Sequence, residues 1–157
     1  MNHIMDRLYF IIDSLTKLIC KLLLASIIII IIVEIFFRYV LNSPLGWPEE
    51  IARFLFIWLS FLGTALAIKE KVLAGINYFI DKFTTGYMKY FHYVVHILIV
   101  IFLLSSIIGS YKIVKIGMNI SLTSTSIPWG YAYIAFPIGL GLSLFYYVYI
   151  LINERAK

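Results

Sequence analysis

The sequence predicts an all-α membrane protein: four transmembrane helices with a short amphipathic N-terminal helix. Three observations carry that prediction. Hydrophobic residues make up 62% of the 157 residues and charged residues only 13%, whereas a soluble globule carries about 25% charge. The apolar residues fall into four runs, each near the ~20 residues a helix needs to cross the hydrocarbon core. The charged residues collect between those runs. The net charge of +5 therefore reports loop topology. It implies membrane lipid as the surrounding medium and no nucleic-acid partner. A chain of this length predicts one membrane domain, 1–157. Cys20 is the single cysteine, which leaves no intrachain disulfide and no cysteine-based metal site. The first apolar run is followed by Glu34 and Arg38 instead of a small-residue cleavage site, so it predicts a retained helix and not a signal peptide.

Residues 1–17 mix Asp6, Arg7, Asp13 and Lys17 with Leu8, Ile11, Ile12 and Leu15. This is amphipathic helical spacing, suited to a helix on the membrane surface or one continuous with the first span. That span is predicted over roughly 18–40, with six consecutive isoleucines, Ile27 to Ile32, at its centre. Asn42-Ser43-Pro44-Leu45-Gly46 reads as a turn: the proline presets φ, and the glycine tolerates unusual backbone angles. Pro48 suits the first turn of a helix, and Glu49 and Glu50 complement the positive end of its dipole. The second span is predicted over roughly 50–69. Ser60/Thr64 and Gly63/Ala67 are small pairs at the spacing that lets membrane helices approach closely. Residues 72–89 predict a loop with an amphipathic stretch from Tyr78 to Phe83. The third span is predicted over roughly 90–112, with Ser105/Gly109 as another small pair. A polar loop follows over 116–126. The fourth span is predicted over roughly 127–151, starting at Pro128 and Trp129 and kinked at Pro137.

The stretch from Glu34 to Arg53 contains five of the 21 charged residues. Glu34 precedes Arg38 by four residues, the better order for a helix-surface ion pair. Glu49 and Glu50 reach Arg53 at i+4 and i+3. Arg38-Tyr39, Asn42, Trp47, Glu49-Glu50, Arg53 and Trp58, followed by Gly63 and Ala65-Leu66-Ala67, resemble the signature of one family. It is the small membrane subunit, the Q component, of the tripartite ATP-independent periplasmic (TRAP) transporters. Ile127-Pro128, Trp129, Tyr133 and Pro137-Ile138-Gly139 extend the resemblance. Where that family's pattern has a Gly-His-Ile-like sequence, this chain has Ala74-Gly75-Ile76. The histidine is absent, and no role for it is carried over.

The resemblance implies a non-enzymatic accessory subunit. Its implied partners are a large elevator-type membrane subunit, which holds the substrate and sodium sites, and a periplasmic substrate-binding protein. The implied solute is an organic acid such as sialic acid or a C4-dicarboxylate. Glu34, Arg38, Asn42, Trp47, Glu49, Glu50, Arg53 and Trp58 are then residues of subunit contact or of a structural ion-pair and turn motif. Pro128 and Trp129 form a helix start at the outer interface.

Four spans put both termini on one side of the membrane. Nine Lys and Arg residues lie on that side and four on the other, which predicts cytoplasmic termini in the bacterial inner membrane. Trp47 and Trp129 then fall at the outer interface, and Tyr78, Tyr87, Tyr90, Tyr146, Tyr147 and Tyr149 at the inner one. No acid stands alone in mid-span and no inverted repeat is present, so the chain lacks the usual marks of a solute pathway. No catalytic constellation, metal site or cofactor site is visible. His92 and His96, one helical turn apart, are the sole support for an alternative class, a haem- or quinone-binding anchor of a respiratory enzyme. A small self-associating channel is a third class, and it lacks a polar stripe along any span.

Overall fold

A computed structural model describes residues 3–70 and 88–155, with side chains over 7–70 and 94–152. Four of its helices or helix pairs are long and apolar enough to cross a membrane. Among the described residues there is no strand, only an isolated antiparallel bridge between Ser121 and Pro128.

Helix α1 runs from His3 to Tyr39. The amphipathic N-terminal stretch and the first span are one continuous helix of 37 residues, about 55 Å at 1.5 Å per residue. No glycine or proline interrupts it, so nothing in the sequence separates the two parts. Helix α2, Trp47–Lys69, begins with Pro48 in its first turn and Glu49 and Glu50 beside it. Helix α3 covers Met88–Gly117. The short α4, Gly130–Tyr133, precedes α5, Ala135–Arg155. Between α4 and α5 the backbone of Ile134 stays helical, φ −59 and ψ −25, and its N–H bonds the Gly130 carbonyl at 3.0 Å, so the fourth span runs on through both. Proline cannot donate to the carbonyl four residues back, and it is tolerated in a first turn. Pro137, the third residue of α5, takes that place.

The helices form an open layer. Helix α2 packs along α1 on one flank and α5 on the other, and α3 lies against the far side of α5. The seam between α2 and α5 is close: a Cβ added to Gly139 would stand 2.6 Å from the Phe61 Cβ and 2.9 Å from its carbonyl carbon. Phe61 also meets Phe136, with ring centroids 4.3 Å apart. The small pairs read from the sequence are not the seams. Cβ atoms added to Gly63 and Gly109 would meet nothing within 4 Å. Ser60 and Thr64 are exposed, and their hydroxyls bond back to the carbonyls of Phe56 and Ser60. Tyr146 is fully buried against its neighbours and does not face lipid. The predicted amphipathic stretch Tyr78–Phe83, with Tyr87, lies outside the described residues, as do the side chains of Tyr90 and His92.

Candidate functional site at the motif rim

The turn between α1 and α2 is closed by backbone geometry specific to one residue. Asn42 takes a left-handed conformation, φ 48, which asparagine tolerates better than most residues. The Ser43 N–H then returns to the Phe37 carbonyl at 3.1 Å. Gly46 does not supply the unusual angle expected of it. Its φ is −81, ordinary helical backbone. What the turn needs there is room, since an added Cβ would lie 3.0 Å from the Ser124 hydroxyl oxygen.

Each charged pair at this rim stays on one helix. The Arg38 guanidinium donates to Glu34 Oε1 at 2.6 Å, and Arg53 donates to Glu49 Oε1 at 2.6 Å. The Glu34 side chain is only 15% exposed, whereas Glu49 and Arg53 stand in the open. Glu50 departs from the sequence reading. It does not pair with Arg53 but accepts the backbone N–H groups of Thr123 and Ser124, each at 2.9 Å. Two consecutive amides directed at one carboxylate form charge-assisted bonds that both orient the loop and bind it.

The loop gripped by Glu50 is better ordered than a polar connection needs to be. Leu122 is buried at 3% exposure. Its N–H bonds the Ile127 carbonyl at 2.8 Å, and the Trp129 N–H bonds the Ile120 carbonyl at 2.8 Å. Ser126 turns the chain at φ 56. Pro128 sits in the Ser121 bridge, two residues before α4, and its carbonyl accepts the Tyr131 N–H. Trp129 stacks on Tyr133 with centroids 6.1 Å apart. Trp58, two turns below Glu50, donates its indole N–H to the Tyr131 carbonyl at 3.2 Å. Glu50 and Trp58 thus bind α2 to the segment entering α5. Trp47 remains part-exposed at the start of α2. No ion pair or hydrogen bond joins the Glu34–Arg38 pair to this cluster among the described residues.

At the opposite rim the sequence reading missed a second cluster, in which Asp13 meets both Lys17 and Lys69. The i,i+4 spacing of Asp13 and Lys17 was visible. The contact with Lys69, 56 residues away in the chain, carried no local signal. His96 Nδ1 lies 2.6 Å from the Tyr147 hydroxyl, across α3 and α5. Among the described residues no group of three His, Cys, Asp or Glu could hold a metal ion.

The profile of the family described as tripartite ATP-independent periplasmic transporters, DctQ component, matches residues 27–156. A protein of Haemophilus influenzae assigned as a TRAP transporter small permease is 28% identical over 131 residues, covering 83% of this chain and 81% of that one. The sialic acid TRAP transporter small permease protein SiaQ of Vibrio cholerae is 36% identical over 72 residues, 46% of this chain and 42% of its own length. The isethionate TRAP transporter permease protein DctMQ of Oleidesulfovibrio alaskensis is 25% identical over 120 residues. That match takes in 71% of this chain and 19% of the longer permease.

Proposed function

This chain belongs to the DctQ-component family of TRAP transporters, and from that membership we propose that it is the stationary prop of a sodium-coupled organic-acid importer. It is a TRAP small permease subunit and a multi-pass protein of the bacterial inner membrane. In the proposed arrangement a large elevator-type membrane subunit holds the solute and sodium sites, and a periplasmic binding protein delivers the solute. The solute is an acid of the sialic acid or C4-dicarboxylate kind. Both termini are cytoplasmic, which puts the Glu50-gripped loop, Trp47 and Trp129 on the periplasmic side. The subunit contributes no catalysis; Arg38, Glu49, Arg53 and their neighbours shape the edge offered to the other components.

One observation carries the reading of a prop without a conduit. Every carboxylate whose side chain is described already has a partner: Asp13 and Glu70 have lysines, Glu34 and Glu49 have arginines, and Glu50 has two backbone amides. The charged groups lie at two levels. Along α2 the uncharged stretch between Arg53 and Lys69 runs over 54–68, about 22 Å of helix. A path for an anion or cation needs polar groups or water at membrane depth. The family match, and His96 already bonded to a tyrosine, leave the haem-anchor alternative unfavoured.

The test is reconstitution. Vesicles holding this chain, the large subunit and the binding protein should take up labelled organic acid under a sodium gradient. Vesicles holding this chain alone should take up none. Uptake by the chain alone would overturn the prop, and sodium-independent uptake by the full complex would overturn the coupling.

A further inference from the structure

Asp13 is a carboxylate at 8% exposure, near the end of the layer away from the motif rim. Its Oδ1 faces the Lys69 ammonium on α2, and its Oδ2 lies 3.5 Å from Lys17 on α1. Lys17 also lies 3.5 Å from Glu70, just past the end of α2. The Lys69 ammonium stands 5.5 Å from the centroid of the Tyr9 ring. Tyr9 in turn stacks on Tyr149 of α5 with centroids 4.0 Å apart, and meets buried Tyr146 edge-on at 5.7 Å. The four charges cancel, so the cluster tolerates scarce water better than either lysine would alone.

This cluster differs in kind from the ion pairs of the motif rim, which join residues of one helix. Asp13–Lys69 and Lys17–Glu70 join α1 to the end of α2. Of the identical residues Ile27 to Ile32, Ile28, Ile29, Ile31 and Ile32 are exposed and Ile27 alone is buried, so this stretch packs too little to fix the register of α1 by itself. Lipid adds no hydrophobic force that would select one register. A part-buried ionic contact does select one, because a slide strands its charges; fixing register is the best-attested use of such contacts.

We infer that Asp13 is a positioning residue that sets the register and tilt of α1, holding its N-terminal turns across the end of α2 and onto α5. The inference stands apart from the transport reading. It is tested by spin labels at Phe10→Cys and Val94→Cys, both exposed positions, in a Cys20→Ala background in nanodiscs. Asp13→Asn should shift and broaden the distance distribution, and Lys69→Gln should do the same. Asp13→Glu should restore the narrow distribution, and Lys21→Gln, an exposed lysine on the same helix, should leave it unchanged. Retention of the parent distribution in both Asp13→Asn and Lys69→Gln would overturn the inference. So would failure of both to fold while Lys21→Gln folds, since that marks a plain folding requirement.

Discussion

Glu50 and Arg53 lie one turn apart on α2 and act on different partners. Glu50 holds a loop from another part of the chain, so its removal should be felt throughout 118–129. Glu50→Gln should cost about 1–2 kcal/mol, the range for a part-exposed bond to a charged group. Faster hydrogen exchange at the Thr123 and Ser124 amides would locate the loss. Arg53 is different, because an exposed i,i+4 pair is worth about 0.3–0.5 kcal/mol. Arg53→Ala should therefore leave the melting temperature of the isolated subunit nearly unchanged. In the full transporter it should weaken uptake by loosening assembly, without altering which solute is chosen. An intact, fully active Arg53→Ala complex would remove that residue from the contact edge. Thr125 offers the opposite experiment: its hydroxyl is buried with no hydrogen-bond partner. Thr125→Val keeps the shape and discards the unsatisfied group, so it should raise stability by about 1 kcal/mol in thermal unfolding.

At the scale of elements, the seam between α2 and α5 depends on one missing side chain. Gly139→Ala would press a methyl group onto the Phe61 backbone and should destabilise by about 1–3 kcal/mol, as overpacking does. Gly109→Ala meets open space, and should be neutral or up to about 1 kcal/mol stabilising through helix propensity. Thermal unfolding of the two variants side by side in detergent checks both signs. The contrast shows what the sequence could reveal. Span number and the within-helix ion pairs follow from composition and from the 3.6-residue period, so Glu34–Arg38 and Glu49–Arg53 were readable. A small-residue pair shows that a face permits close approach. It does not say whether a neighbour within the chain uses it, so Gly63 and Gly109 stay open in the chain alone while Gly139 was not singled out as a contact. Glu50 and Asp13 were opaque for the same reason: their partners are far away in the chain, and no local spacing points to them.

For the whole molecule, orientation can be measured directly. Single cysteines at Ser124, on the Glu50-gripped loop, and at Asn2, near the N-terminus, should react from opposite faces of sealed cells with a membrane-impermeant reagent. Labelling of Ser124→Cys from the periplasm would agree with cytoplasmic termini; labelling of Asn2→Cys from that side would reverse the arrangement. The charge levels also give the layer an uneven greasy girdle. Between Lys21 and Glu34 the uncharged run is 22–33, about 18 Å of helix, and along α2 it is little longer. Along α3, on the other flank, no Asp, Glu, Lys or Arg falls between Lys89 and Lys112, about 33 Å of helix. One flank therefore falls short of a hydrocarbon core of about 30 Å while the other fills it. Lipids beside α1 must shorten or let lysines stretch towards their headgroups, whereas lipids beside α3 need not. Such a wedge should gather short-chain lipids along one side only, and it should favour any neighbour whose own girdle is equally thin.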